Sequence, residues 1–299
     1  MIDNEQIHAK KVTVIITTYN RPHDVLRMTI PTYFKNECIG EMIIVDDASP
    51  INPADVITTL QGQYPTIKYI RKMQNEKLPA ARNTGIKHAK FPYIHFGDDD
   101  NIIMPNAIDQ ALETMDAYSA DIVAIRPLLA DCMSDIDDLE NFIRKSNQVK
   151  STLIDLKRQK FNFNINTGAI IEVPVCNSAF LIKSKYARQV LFDESIKGNA
   201  YREETDFLIR AKARGAKIVF NPFIVTVNLP RKIATGGCHS GPKYMWYVWA
   251  IRNNWYFLKK NKQILRTTYG IKTNTYILQF YCIWDFFTRF CKNFIYDSK

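Results

Sequence analysis

The chain has 299 residues, of which 46% are hydrophobic and 23% charged, and this ordinary composition excludes a disordered or low-complexity protein. A net charge of +10 requires a basic surface, but no nucleic-acid recognition motif accompanies it, so we expect no nucleic-acid partner. Six cysteines without paired metal-ligand spacing and an N-terminus without a secretory pattern indicate reduced thiols in a cytoplasmic protein.

Short apolar runs alternate with helix-compatible stretches over the first 118 residues. Strands are predicted at 12–18, 42–45, 67–70 and 93–96, and helices at 21–34, 53–60, 79–89 and 105–118. Nearly continuous apolar strands that alternate with helices are typical of βαβ units, whose parallel strands are buried on both faces. The pattern predicts an α/β fold with a Rossmann-like, mostly parallel central sheet flanked by helices. Ligands of such sheets bind outside the carboxyl ends of the strands.

Polar clusters follow these strands, and they are expected to converge on one edge of the sheet. The clusters contain Thr17, Tyr19, Arg21, Asp46, Asp47, Arg82, Asn83 and Asp98 to Asp100. Tyr19 offers a ring face for stacking and Thr17 a hydroxyl, whereas Arg21 either faces a ligand or is a solvated charge. One of Asp46 and Asp47 can accept the N–H of a uracil-type ring, while the other caps the turn.

Three successive carboxylates end the fourth strand, at Asp98, Asp99 and Asp100. Like charges so close together repel each other, and a divalent cation between Asp98 and Asp100 relieves that repulsion. Oxygen ligands suit Mg²⁺ or Mn²⁺, ions that also take phosphate oxygens from a substrate. The alternative is an acidic turn in which Asp100 or Asn101 caps a helix with Pro105 in its first turn.

Five segments resemble the successive motifs of the family 2 glycosyltransferases, which have the GT-A fold. They are Val-Thr-Val-Ile-Ile-Thr-Thr-Tyr-Asn-Arg-Pro (12–22), Ile-Ile-Val-Asp-Asp-Ala-Ser (43–49), Leu-Pro-Ala-Ala-Arg-Asn-Thr-Gly (78–85), Phe-Gly-Asp-Asp-Asp (96–100) and Arg-Glu-Glu-Thr-Asp-Phe-Leu-Ile-Arg-Ala (202–211). The resemblance covers about residues 10–260. It implies a nucleotide-sugar donor, a diphosphate bound through Mn²⁺ or Mg²⁺ at Asp98 and Asp100, and inversion at the anomeric carbon.

The resemblance also implies roles for single residues. Nucleotide binding falls on Thr17, Tyr19, Arg21, Asp46, Asp47, Arg82, Asn83, Asp98 and Asp99. Glu204 stands at the position of the family's general base, which is usually an aspartate, so Glu203 remains an alternative. The alternative interpretation is structural: Glu203, Glu204 and Asp206 form the acidic N-terminus of a helix, where negative charge is favoured by the helix dipole.

Two further segments are candidates for site residues. Asn228 stands where many relatives have a metal-binding histidine, and His239 in the glycine-rich segment 235–241 is the substitute ligand that this chain offers. Asn177 and Ser178, between two short strands predicted in 168–182, are candidates for contacts with sugar or acceptor.

The C-terminal part differs in composition from the rest. Aromatic-rich helices are predicted at 244–258 and 276–296, and charges interrupt both before about 18 apolar residues accumulate, so neither should span a bilayer. These helices either lie in an anionic membrane interface or pack on the catalytic domain. We therefore predict a catalytic domain at 1–230, with a nucleotide-binding half (about 1–100) and an acceptor half (101–230), and a helical extension at 231–299.

Taken together, the sequence predicts an inverting glycosyltransferase that moves a sugar from a UDP-sugar to a glycan or lipid-linked glycan at the cytoplasmic side of a membrane. Two alternatives remain open. One is a non-catalytic nucleotide-sugar-binding module. The other is a nucleotidyltransferase, which the absence of glycine from residues 17–22 disfavours because triphosphate binding generally uses a glycine-rich loop there.

Overall fold

A central sheet organises the protein, seen here in a computed structural model that describes residues 10–148, 153–155, 160–176 and 179–296, without the side chains of His239 and 289–296. The strands are β1 (Val12–Thr18), β2 (Ile39–Asp46), β3 (Ile67–Arg71), β4 (Tyr93–Asp98), β5 (Asn101–Ile103), β6 (Ile122–Leu129), β7 (Ile154–Asp155), β8 (Lys160–Phe161), β9 (Ile171–Glu172), β10 (Phe180–Lys183) and β11 (Ile218–Asn228). The helices are α1 (His23–Tyr33), α2 (Ala54–Gln63), α3 (Leu78–His88), α4 (Ala107–Ala117), α5 (Met133–Asp137), α6 (Leu139–Lys145), α7 (Ser184–Val190), α8 (Glu203–Lys212), α9 (Lys243–Lys260), α10 (Lys262–Thr267) and α11 (Thr275–Tyr296).

The sheet has the order β3-β2-β1-β4-β10-β6-β11-β5, with β9 paired to β11. The first four strands in that order are parallel, whereas β10 runs antiparallel to both β4 and β6. Helices cover both faces, so the predicted α/β class with a mostly parallel sheet is confirmed. In register, Thr17 lies opposite Asp98 and Thr18 opposite Asp46, which brings three of the predicted polar clusters together.

The alternative explanation of the acidic segment is wrong. Asn101 to Ile103 form strand β5, which pairs with β11, and the next helix begins only at Ala107. Asn106 precedes that helix with a left-handed φ of 59°. Asp100 therefore sits in a tight connection between two strands and does not cap a helix.

The buried residues of each strand alternate between two apolar layers, as expected when helices cover both faces of a sheet. On β1, Ile15 belongs to one layer and Val14 and Ile16 to the other. Phenylalanines dominate the first layer near the site: Phe192 and Phe207 stack at 4.2 Å, and Phe96 meets Phe192 edge-on at 5.2 Å. This rigid aromatic cluster supports the start of helix α8.

The C-terminal helices pack on the part of the chain that contains the sheet. Phe257, Leu258 and Leu278 belong to the main buried cluster, and helix α9 packs along helix α11. Among the described residues, no helix combines the length and the hydropathy that a membrane span requires.

A buried aspartate joins the extension to helix α8. Asp206 accepts hydrogen bonds from Arg210, Lys260 and Asn261 at 2.6 to 3.0 Å and has no exposed surface. The structure thus gives Asp206 a structural role, separate from Glu203 and Glu204.

Replacing Asp206 by leucine is expected to lower the free energy of unfolding by about 3–5 kcal/mol, because Arg210 and Lys260 would lose their shared buried partner. Urea unfolding measures the loss. The matched control is Asp24→Leu, which removes an exposed carboxylate that pairs with Arg27 and should cost less than about 1 kcal/mol. An equal effect of the two substitutions would contradict the structural role.

Candidate active site

The acidic end of strand β4 is held by a buried arginine from the β1–α1 connection. The Arg21 guanidinium lies 2.7 Å from an Asp99 carboxylate oxygen and 3.1 Å from one of Asp100. Burial, with the charges of Asp99 and Asp98 adding to it, raises the pKa of Asp100 to about 7 although Arg21 opposes the shift. Asp99 is thus committed to Arg21, while the side chains of Asp98 and Asp100 are each about one quarter exposed.

A second buried arginine links this acidic end to the start of helix α8. Arg82 pairs with Glu203, lies 3.2 Å from a Glu204 oxygen and 3.6 Å from an Asp98 oxygen. Its guanidinium rests 5.2 Å from the ring centre of Phe192. The arginine therefore holds together carboxylates that lie more than a hundred residues apart in the chain.

The two glutamates at the start of α8 have different environments. The side chain of Glu203 is 3% exposed, and one of its oxygens is buried without a hydrogen-bond partner among the described residues. Burial raises the pKa of Glu203 well above its ordinary value, and the attraction of Arg82 does not offset that shift. The side chain of Glu204 is 30% exposed. Only Glu204 of the pair combines access to solvent with the arginine contact.

At the end of strand β2, Asp46 has no exposed surface and uses both of its oxygens. One accepts from the backbone and hydroxyl of Ser49, and the other accepts from Tyr69 and Arg71. The neighbouring Asp47 accepts from the backbone N–H groups of Glu76 and Lys77 at 2.9 and 2.8 Å. Both aspartates were predicted to contact a nucleotide; in the structure they fix the loops around the site.

Asn83 has a similar structural role. Its amide donates to the Phe192 carbonyl and to Glu194, and it accepts from the Phe192 backbone N–H. The loop before helix α8 is anchored in this way to helix α3. Asn83 was predicted as a nucleotide contact, but every polar atom of its side chain is occupied by the protein.

Thr17 and Tyr19 remain half-buried at the end of strand β1. The ammonium group of Lys77 lies 6.0 Å from the centre of the Tyr19 ring. Lys77 adopts a φ of 79°, which holds it at the turn before helix α3. An aromatic ring and a cation therefore lie together at the end of strand β1.

A glycine-rich segment covers the β1–α1 connection. Gly236 has a φ of 99°, and a Cβ there would lie 2.2 Å from the Asn20 carbonyl oxygen, so only glycine fits. Arg21 donates to the carbonyls of Ala234 and Thr235. The backbone of His239 lies in a short 3-10 turn of this segment, but its side chain, predicted as a metal ligand, lies outside the described residues. Asn177 and Ser178 lie outside them as well.

Two residues of the site were not predicted from the sequence. Lys77 reaches Tyr19 only because Asp47 positions its backbone, and nothing local in the sequence signals that contact. Burial, with added repulsion from Glu203 and Glu204, raises the pKa of the Cys238 thiol to about 12, which reflects its position beside that pair. A glycine-rich segment flanking a cysteine is the only signal that the sequence provides for it.

The charges of the site fit a divalent cation. The site contains more carboxylates than guanidinium groups. The two guanidinium groups belong to Arg21 and Arg82, and the five carboxylates to Asp98, Asp99, Asp100, Glu203 and Glu204. A buried Asp99 oxygen also lacks a hydrogen-bond partner among the described residues. No three acidic, histidine or cysteine side chains in the described part of the chain form a closed ligand set. An ion held by one or two carboxylates would complete its shell with water and phosphate oxygens, as Mg²⁺ usually does.

A family model and several curated relatives match this chain. The sequence model described as Glycosyl transferase family 2 matches residues 13–180, more than half of the chain. An uncharacterised glycosyltransferase of Methanocaldococcus jannaschii is 22% identical over 225 residues, which span 74% of this chain and 71% of that protein. Against three other curated relatives, the matched region spans only 17–18% of their length.

Two solved structures share the fold. A mannosyltransferase from Pyrobaculum calidifontis, in complex with GDP-Man and Mn²⁺, matches with a TM-score of 0.56 and 15% identity over 86% of this chain and 64% of its own. TarS residues 1–349 from S. aureus, in complex with UDP-GlcNAc, match with a TM-score of 0.56 and 14% identity over 88% and 76%. At such identities these likenesses speak for the fold alone.

Proposed function

This chain belongs to glycosyl transferase family 2, and on that premise we propose that it transfers a sugar from a UDP-sugar to an acceptor hydroxyl, with inversion at the anomeric carbon. One observation carries the proposal. Arg82 joins Asp98, at the acidic end of β4, to Glu203 and Glu204, at the start of α8. A site for a diphosphate and a site for a general base are thereby held in one rigid arrangement, as transfer between two substrates requires.

The donor occupies the edge formed by the ends of β1, β2 and β4. Tyr19 stacks on the base, Thr17 hydrogen-bonds it, and Lys77 adds positive charge for the phosphates. Asp46 and Asp47 shape this pocket by fixing its loops. Arg21 holds Asp99 in place and keeps the acidic cluster from repelling the donor.

Asp98 and Asp100 are the residues that would hold Mn²⁺ or Mg²⁺. When bound, such an ion would neutralise the negative charge that develops on the departing diphosphate. The positions of Asp98 beside Arg82 and of Asp100 beside Arg21 give both carboxylates a fixed direction.

Glu204 acts as the general base. Its carboxylate removes the proton from the acceptor hydroxyl while the new bond to the anomeric carbon forms and the bond to the diphosphate breaks. Glu203 is buried and has a raised pKa, so it orients Arg82 and does not reach the acceptor.

UDP is supported as the nucleotide by the likeness to TarS, whose structure contains UDP-GlcNAc, although a neighbour of equal TM-score contains GDP-Man. We propose a glycan or lipid-linked glycan as acceptor, reached at the cytoplasmic face of a membrane. The division into a catalytic domain at 1–230 and an extension at 231–299 is part of the same proposal. Asp206 connects the two by accepting hydrogen bonds from Lys260 and Asn261.

Thermal denaturation in the presence of nucleotide sugars tests the proposal. A UDP-sugar with Mn²⁺ at about 100 times its Kd should stabilise the fold by about 2.7 kcal/mol, which raises the melting temperature by several degrees. The variant Asp100→Asn should lose most of the Mn²⁺-dependent part of that shift and lose Mn²⁺-dependent transfer.

Asp116→Asn is the matched control, because Asp116 is exposed, lies far from the site and pairs with Lys10. It should behave as the unmodified protein does. If no nucleotide sugar changes the melting temperature with or without Mn²⁺, the proposal fails. Donor binding without transfer or hydrolysis would favour the binding module, and stabilisation by a nucleoside triphosphate plus a sugar phosphate would favour the nucleotidyltransferase.

A further inference from the structure

We propose that the outer surface of helices α9 and α11 docks on an anionic lipid bilayer. None of the residues concerned is assigned to the donor or to the general base, and the inference does not depend on which sugar is transferred. Three features of the C-terminal extension carry it: an apolar helix face that no described residue covers, a neighbouring stripe that includes cations, and the distribution of charge along the chain.

Helix α11 is apolar on two opposite faces. Leu278, Cys282 and Phe286, spaced four residues apart, are buried toward the protein. The other side, here called the aromatic face, is exposed by 36–70% at each residue and consists of Tyr276, Ile277, Phe280, Tyr281, Ile283, Trp284 and Phe287. A surface helix normally turns polar residues outward, so this face is suited to a surface that removes it from water.

Helix α9 extends the aromatic face sideways. Tyr244, Val248, Arg252, Trp255 and Lys259 follow one another at intervals of three or four residues and so form one stripe of the helix. The Trp255 ring lies 5.1 Å from the ring of Tyr276, which joins the stripe to the aromatic face. The Lys259 ammonium lies 5.3 Å from the Trp255 ring centre. Cations and aromatic rings therefore share one surface.

The charge of the whole protein is concentrated in this extension. Residues 231–299 contain 12 Lys and Arg but two Asp, an excess of ten that equals the net charge of the chain. Residues 1–230 are therefore balanced in formal charge. Asp285, one of the two acids, already pairs with Lys160 at 3.0 Å. The extension therefore carries the excess of positive charge that attracts an anionic partner.

A bilayer fits these features better than a second copy of the chain does. Two copies docked face to face would bring two like excesses of positive charge together, which costs free energy. Tyr and Trp prefer the membrane–water interface, and anionic headgroups attract Lys and Arg beside them. Helices that combine such a face with flanking cations lie in the plane of the interface.

Sedimentation with lipid vesicles tests the proposal on the full chain. The protein should pellet with phosphatidylcholine vesicles that contain phosphatidylglycerol, and far less with phosphatidylcholine alone. Raising NaCl from about 0.1 M to about 1 M should release most of it, because the screening length falls from about 10 Å to about 3 Å.

Surface variants separate the contribution of the aromatic side chains from that of the cations. Phe280→Ser with Trp284→Ser should weaken vesicle binding about tenfold or more, and Arg252→Glu with Lys259→Glu should weaken it at least about fivefold per position. The controls Phe223→Ser and Lys87→Glu make the same exchanges at exposed positions of the catalytic part and should leave binding unchanged. Melting temperature and donor-induced stabilisation, measured on every variant, verify that the fold and the donor site are intact.

Either of two results would overturn the proposal. One is an absence of pelleting with anionic vesicles at low salt. The other is a dimer, detected by light scattering, that Trp284→Ser dissociates, because the aromatic face would then be covered by a second copy. A failure of donor binding with intact vesicle binding would count against the proposed function alone.

Discussion

Glu204→Gln is expected to lower the rate of sugar transfer by about 10²–10⁴-fold, the contribution typical of a general base. Glutamine keeps the size of the side chain and can still accept a hydrogen bond from Arg82, but it cannot take the acceptor proton. Donor binding, measured by titration calorimetry with Mn²⁺ present, should change by less than about threefold, because the proposed donor contacts lie at the ends of β1, β2 and β4.

Two comparisons sharpen this experiment. Glu203→Gln removes the buried partner of Arg82, so it should lower stability more than Glu204→Gln does while retaining more transfer activity. Glu113→Gln, on the exposed side of helix α4, should leave both properties unchanged. Full turnover by Glu204→Gln together with loss of turnover by Glu203→Gln would identify Glu203 as the general base.

Arg82→Met should be the most destabilising single substitution in the site. It removes the cation that pairs with the buried Glu203 and adjoins Glu204 and Asp98, and breaking a buried pair from one side costs about 3–5 kcal/mol. Urea unfolding should show a lower midpoint with an unchanged slope. Arg82→Lys keeps the charge but loses the planar, forked guanidinium group. Its stability and activity should therefore both lie between those of the unmodified protein and those of Arg82→Met.

A double variant distinguishes the loss of a pair from a general packing defect. Arg82→Met combined with Glu203→Leu removes both buried charges and should recover part of the stability, although not the activity. The exposed pair of Arg27 with Asp24 provides the control, because Arg27→Met should cost less than about 1 kcal/mol. If the double variant is less stable than Arg82→Met, the buried pair is not the source of the loss.

The sequence was sufficient to predict the elements that surround the site. The strand predicted at 12–18 matches β1 at both ends, and the helix predicted at 79–89 is offset from α3 by one residue. Both have strong periodicity and clear breakers, which act locally. Strand β6 was not predicted, and β10 matches only the end of a strand predicted within 168–182. The short β5 was mistaken in one alternative for a helix start. Pairing with a distant strand decides such segments.

The choice between neighbouring polar residues was beyond the sequence. Glu203 and Glu204 are chemically identical and adjacent, and only packing buries the first against Arg82 and leaves the second open to solvent. Asp46, Asn83 and Asp206 likewise resemble ligand contacts until their protein partners are known.

The sequence by itself determined the family, the alternation of strands and helices, and the presence of carboxylates at the end of β4. Tertiary structure decided which of those carboxylates are committed to Arg21 and Arg82, and it turned an aromatic face of helix α11 outward. The physical reason is that periodicity and turn chemistry act over a few residues. Burial, ion pairing and the resulting pKa shifts depend instead on partners that the chain brings together from more than a hundred residues away.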